Sequence, residues 1–330
     1  MSMAEITPTR AAARPWLTGL KNLVVGSLLA LMPVTAILVL GWLMRDMRRT
    51  AMAQATGVNA PLPGWIAGEG NGSIVARAFG GLAQNIKDGL GACVALGLGT
   101  LPFAGFWIAS WWAGWDNSFN KGYEQAFIGP ASGLAGLAIF MIMMIYIPLA
   151  QAHMAAEARL SAFFEFARVR SVFRHTGWAY VIWTAGIAFF ALPVFAARGL
   201  PAFVEGLIPQ FADFTPQQVN DLAMAIALTM SVYIFVSLVI FRRWQARIYA
   251  GAVRRALGGR DRAIWDGSAL AQAGVRPDTR GGWQLLRPIR FLLLAGLWLF
   301  VAILIYVGQF LNHDWQVWLT HPLIFLPWMP

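Results

Sequence analysis

The sequence predicts an all-α, polytopic membrane protein with five or six transmembrane helices and cytoplasmic amphipathic helices at the interface. Three observations carry this. Six apolar runs of 20 or more residues, at 23–43, 90–112, 128–149, 178–197, 222–241 and 291–310, are each long enough to cross a bilayer, whose hydrocarbon core asks for about 20 helical residues. Charged residues make up 12% of the chain and hydrophobic ones 58%, against about 25% and about 45–50% in soluble domains. The Lys and Arg side chains gather on alternate connections between the runs.

Residues 1–20 are expected to form a flexible N-terminal tail, residues 21–310 a single integral-membrane helical domain, and residues 311–330 an aromatic tail at the interface. The first run begins late and lacks a small-residue cleavage site, which argues against a cleavable signal peptide. Its charges break the alternation, because Arg10, Arg14 and Lys21 precede it and Arg45, Arg48 and Arg49 follow it. Two readings stay open. Either the N-terminal tail lies outside despite its charge, or the run enters and leaves on one face as two half-helices, with the kink at Pro33.

Residues 51–73 are rich in turn formers, among them Gly57, Pro61, Pro63, Gly64 and Gly68. Val75, Phe79, Leu82, Ile86 and Leu90 then recur every three or four positions, with Arg77 and Lys87 off the stripe, predicting an interfacial helix that feeds the second span. Gly91, Ala95 and Gly99 lie four apart, as do Gly129 and Gly133, so the second and third spans are expected to pack along these smooth strips. Beyond the third span, Leu160, Phe163, Phe164 and Ala167 have the spacing of an amphipathic helix, and Glu157 and Glu165 are placed to neutralise Arg159 and Arg168. The stretch 199–217, broken by Pro201 and Pro209, is too irregular to span.

Cations are retained on the cytoplasmic side, so connections 44–89, 150–177 and 242–290 are expected inside, and 113–127, 198–221 and the C terminus outside, in the cell's inner membrane. The arginines Arg45, Arg48, Arg49, Arg168, Arg170, Arg242, Arg243 and Arg247 either record topology alone or form contact surfaces for anionic lipid or a protein partner in a membrane complex. The net charge of +10 is thereby assigned to headgroups and not to nucleic acid. Tryptophans near the run ends, including Trp42, Trp65, Trp112 and Trp178, are expected to anchor at the interface.

No catalytic residue, cofactor or metal site is expected. The chain carries no phosphate-binding loop, nucleophile elbow, HExxH pattern or paired carboxylates, and Cys93 is alone. His153, His175, His313 and His321 read as structural or interfacial side chains in preference to haem or chlorophyll ligands. The span cores hold no ionisable group, which disfavours a proton-coupled pump. Thr184, Thr229, Ser231 and Gln309 would line a facilitator, or else bond between helices.

Leu31-Met32-Pro33, Gly41-Trp42-Leu43-Met44-Arg45 with Arg48-Arg49, Leu62-Pro63-Gly64-Trp65, and Ile86-Lys87-Asp88-Gly89-Leu90 ahead of Leu101-Pro102 resemble the bacterial and archaeal membrane proteins grouped as domain of unknown function 4013. Phe163-Phe164-Glu165-Phe166 through Arg174 and Trp178 is similar to that family's later amphipathic helix and the span after it. The resemblance covers about residues 20–195. It implies a helical membrane fold and no activity. The function expected from the sequence is a non-catalytic scaffold, assembly factor or subunit of a membrane complex. The alternative is a passive transporter or lipid-handling protein, which a polar-lined cavity open to one side would favour.

Overall fold

The computed structural model describes residues 15–68, 73–120, 127–199, 203–207, 209–278 and 286–312, and every regular element among them is helical. The long elements are α1 (Pro15–Ala30), α2 (Pro33–Thr56), α3 (Ile74–Asn120), α4 (Ile128–Glu157), α5 (Phe166–His175), α6 (Trp178–Gly199), α8 (Pro216–Leu257) and α11 (Arg287–Asn312). Short turns of helix, α7 (Val204–Leu207), α9 (Arg262–Trp265) and α10 (Ala269–Gln272), lie in the connections. Five helices, α3, α4, α6, α8 and α11, are long and apolar enough to cross a membrane. This is the architecture of an all-α polytopic membrane protein.

The first apolar run does not make a single rod. It breaks at Leu31 and Met32, where Pro33 opens α2 and the Thr35 hydroxyl donates to the carbonyl of Leu29 at 2.7 Å, closing the turn. Asn22 on α1 and Trp42 on α2 both reach Trp65: the Trp65 indole donates to Asn22 Oδ1 at 3.0 Å, and its ring stacks on Trp42 at 5.0 Å. Collinear helices would hold those two positions about 30 Å apart, so α1 and α2 fold back as a hairpin. With 16 residues, α1 extends only about 24 Å and falls short of a span. Lys21 and Arg45 therefore lie at the same end of the hairpin, which is the second of the two readings of this run.

Lipid tails are as apolar as leucine, so helices in a bilayer associate through close packing and hydrogen bonds. The α2–α3 crossing shows this. A side chain at Gly41 would overlap the Asn85 carbonyl, and one at Gly89 would overlap the Ile37 carbonyl, so the two backbones touch. Because Gly81, Asn85 and Gly89 are buried on that face, the apolar stripe of Val75, Phe79, Ile86 and Leu90 is turned outward. The helix expected at the interface is continuous with the second span in α3.

Deeper in the bundle, Phe103, Trp107 and Phe140 pack with ring centroids 5.0–5.2 Å apart, and Trp298 of α11 meets Phe140 at 6.1 Å. Helix α6 is fixed by its two aromatic polar tips: Tyr180 donates to Ile145 O at 2.8 Å and Trp183 to Phe241 O at 2.9 Å. Trp42 and Trp65 are part of this core, 1% and 7% exposed, which corrects their expected place as interface anchors. Trp112 and Trp178 are exposed.

Between α4 and α5 the expected amphipathic helix is interrupted. Ala158 adopts a left-handed conformation that ends α4, a 3-10 turn covers Leu160–Phe164, and Glu165 separates it from α5. Phe163 is buried while Leu160, Phe164 and Phe166 are exposed, so the periodic apolar face is divided between the core and the surface.

Candidate functional site: a basic cavity at one end of the bundle

Connections 44–89, 150–177 and 242–290, which carry most of the cations, meet at one end of the bundle. Asp46 of α2, with 2% of its side chain exposed, accepts from Arg49 Nε at 3.0 Å and from Arg243 Nε of α8 at 2.6 Å. Arg45 donates to Gly64 O at 3.0 Å and Asn85 Oδ1 at 2.9 Å, binding the 58–68 loop to α2 and α3. Asn85 completes the clamp by donating to Trp65 O at 3.0 Å.

These contacts frame a cavity of about 1050 Å³ between α2, α3, the 60–68 loop and the end of α4. Among the described residues, Arg45, Arg48, Arg49, Lys87 and Arg159 line it against one carboxylate, Asp88, and Met44, Met52, Met154 and Leu160 supply apolar wall. The cations differ in what holds them. Arg49 is committed to Asp46, and Arg159 to Glu165 and, at 3.9 Å, Glu157. Arg48 and Lys87 are exposed and pair with no carboxylate among the described residues. Arg48 and Lys87, in no ion pair among the described residues, leave positive charge on the lining, so the cavity is suited to an anion.

Behind the cavity wall, His153 is fully buried. Its Nε2 lies 2.9 Å from Glu165 Oε2 and its Nδ1 2.8 Å from the Tyr249 hydroxyl, with the ring edge-on to Trp265 at 5.5 Å. An ionised Glu165 only accepts, which places a proton on Nε2 and makes Tyr249 the donor to Nδ1. Burial raises the Glu165 carboxyl, but hydrogen bonds from His153 and Arg159, with the charge of Arg168, outweigh it and hold the carboxyl below its ordinary range. Arg168 also donates to Ile264 O at 2.9 Å and lies over the Trp265 ring, while Trp265 donates to Ser171 Oγ at 3.1 Å. The cluster bolts α4, α5, α8 and the 258–268 segment together.

Of the arginines singled out from the sequence, Arg45, Arg48 and Arg49 come together at the cavity. Arg168 joins the His153 cluster and Arg243 the Asp46 pair. Arg170 and Arg247 stand exposed at the same end of the bundle. Arg242 departs from the expected contact surface: it is 4% exposed and donates to Gln151 Oε1, so it joins α8 to α4 inside the bundle.

Among the packing residues, Ala95 is fully buried, a side chain at Gly99 would press on the Phe163 ring at 2.9 Å, and buried Gly129 accepts from Ser110 Oγ at 2.7 Å. Gly133 is half-buried. Gly91 is the exception: nothing lies within 4 Å of where its side chain would begin, because it borders the cavity.

Thr184 and Thr229 bond to Tyr180 O and Ala225 O of their own helices, and Ser231 bonds across to Ser27 O of α1. None of these three lines the cavity. His313, His321 and the aromatic tail from 313 lie outside the described residues, as does the N-terminal tail to residue 14. The Gln309 side chain also lies outside them. Among the described residues no three His, Cys, Asp or Glu side chains gather to hold a metal.

Comparison with known proteins adds no relative: no family model, curated protein or solved structure matches the chain.

Sequence reasoning missed Asp46, Asn85 and Tyr249. Each is a single polar residue inside a helix, with a partner 40 to 197 positions away. Only Asp46 carried a signal, as the one acid in the Arg45–Arg49 cluster.

Proposed function

We propose that this integral membrane protein is a non-catalytic lipid-handling component whose basic cavity receives the phosphate of an anionic membrane lipid. The observation that supports it most is the lining of the cavity, with Arg48 and Lys87 exposed and in no ion pair among the described residues, beside methionine and leucine wall. Basic pockets between membrane helices on the cytoplasmic side suit anionic headgroups. The gathering of the basic connections at one end fits an orientation with that end in the cytoplasm and the C terminus opposite, in the inner membrane. A polar-lined space is also the feature that favours lipid handling over a filled scaffold.

A scaffold or assembly role is the second reading. Exposed Arg170 and Arg247, with Phe166 65% exposed, favour it by offering a contact face away from the cavity. The resemblance to domain of unknown function 4013 is compatible with both and brings no activity to either.

Native mass spectrometry tests the lipid reading. The protein, purified in mild detergent, is offered equal amounts of phosphatidylglycerol and phosphatidylcholine. Preferential retention of phosphatidylglycerol is expected, with a drop on the order of tenfold in the Arg48→Ala/Lys87→Ala double variant, since each cation near a membrane surface contributes about 1 kcal/mol. Equal retention of the two lipids overturns it.

A further inference from the structure

The cavity borders an exposed stripe of α3. Lys87 and Gly91 line it, and spacings of four, three, four, three and four keep Lys87, Gly91, Val94, Leu98, Leu101 and Gly105 on one helix face. Val94, Leu98 and Leu101 are 48%, 51% and 64% exposed, and neither Gly91 nor Gly105 has an atom within 4 Å of where a side chain would begin. The stripe is therefore a shallow apolar track with a glycine where it enters the cavity. From Gly91 to Leu101 it extends about 15 Å, one leaflet of a hydrocarbon core about 30 Å thick. Outward-facing stripes elsewhere, such as Leu228, Val232, Val236 and Ile240 on α8, do not start at a basic cavity among the described residues.

We propose that the cavity and this track are two parts of one site, which takes a diacyl anionic phospholipid with its phosphate at Arg48 and Lys87 and one acyl chain along Gly91, Val94, Leu98 and Leu101. The inference rests on the headgroup reading above and adds that the ligand is drawn from the bilayer, not from solution. A soluble phosphate ester would satisfy the cations but leave the track unused. A phospholipid satisfies both, because the track runs from the cationic wall into the hydrocarbon layer. Gly91 is the junction, the place where a headgroup in the cavity turns into a chain on the helix.

Thermal unfolding in detergent, titrated separately with phosphatidylglycerol, phosphatidylcholine and sn-glycerol 3-phosphate, tests this. Phosphatidylglycerol is expected to raise the melting temperature where equal concentrations of the other two do not. Gly91→Phe, which fills the junction without removing a cation, is expected to raise the phosphatidylglycerol concentration for half-maximal effect about fivefold or more, about 1 kcal/mol by the affinity relation. Leu98→Trp, on the open face, serves as the second variant should Gly91→Phe not fold, with the same expected direction. An equal shift from sn-glycerol 3-phosphate, or an unchanged lipid titration in the variant that folds, overturns the acyl track while leaving the headgroup reading in place. An equal shift from phosphatidylcholine, or no shift from any of the three, overturns both.

Discussion

The carboxylate of Asp46 accepts from Arg243 Nε at 2.6 Å, joining the N-terminal hairpin to α8 across 197 positions of sequence. Only 2% of the Asp46 side chain is exposed, and Arg49 holds its other side. One acid thus satisfies two cations, of which Arg49 lines the basic cavity, and it fixes α2, which carries Arg45, Arg48 and Arg49, against the rest of the bundle.

Replacing this acid tests its weight. Asp46→Asn keeps the volume but leaves two arginines facing each other without an anion. Breaking a buried pair from one side costs about 3–5 kcal/mol, and the partly exposed Arg243 brings the expected loss down to about 1–3 kcal/mol. Chemical unfolding in detergent should show that loss, and an unchanged midpoint would remove Asp46 from the account of how the hairpin is held.

The hairpin makes a second prediction at Asn22. Asn22→Leu leaves the buried Trp65 indole N–H without its acceptor, which costs about 1–3 kcal/mol. In a Trp65→Phe background there is no such donor, so the same change should cost much less. Equal losses in the two backgrounds, measured as a double-mutant cycle, would show that α1 is not held through this bond.

Gly99 faces Phe163 and Ile147, and a side chain there would press on the Phe163 ring while meeting Ile147 at ordinary contact distance. Gly99→Leu overpacks the contact between α3, α4 and the 3-10 turn, and overpacking a filled core costs about 1–3 kcal/mol. The melting temperature in detergent should fall. Gly91→Ala, eight residues earlier on the same helix, should leave it unchanged or raise it slightly, because its side chain enters open space.

The Glu165 carboxyl is held below its ordinary range, so it contributes stability that is present above its unfolded value of about 4.3 and is lost as pH falls through its folded value. The difference in melting temperature between the wild-type protein and Glu165→Gln should be constant from neutrality down to about pH 5 and should narrow below that. A difference that persists at pH 3 would show that Glu165 acts by packing and not by charge.

Much of this fold is legible in the sequence because a bilayer imposes long apolar runs and sorts the cations between connections. The five spans and the common end of the basic connections follow from those two constraints. The first run illustrates where they stop: charge and Pro33 left a kinked span and a hairpin equally open, and the choice depended on Asn22 and Trp42 meeting on Trp65, a residue in a loop. Trp42 and Trp65 themselves read as interface anchors because they sit beside run ends, while their burial depends on a loop folding over α2. The cavity was not visible at all. Its wall is assembled from α2, α3, the 60–68 loop and the end of α4, and the cations that line it look, in sequence, like any positively charged helix end.

The hairpin also gives the molecule a shape. Its two helices turn back at Leu31 and Met32, so α1 and α2 add to the bundle at the end that carries Lys21 and Arg45, while α3, α4, α6, α8 and α11 are long enough to cross. A half-crossing pair inserted beside full spans occupies lateral room near one face of the bilayer only, so the lipids of the two monolayers meet different perimeters of the same protein.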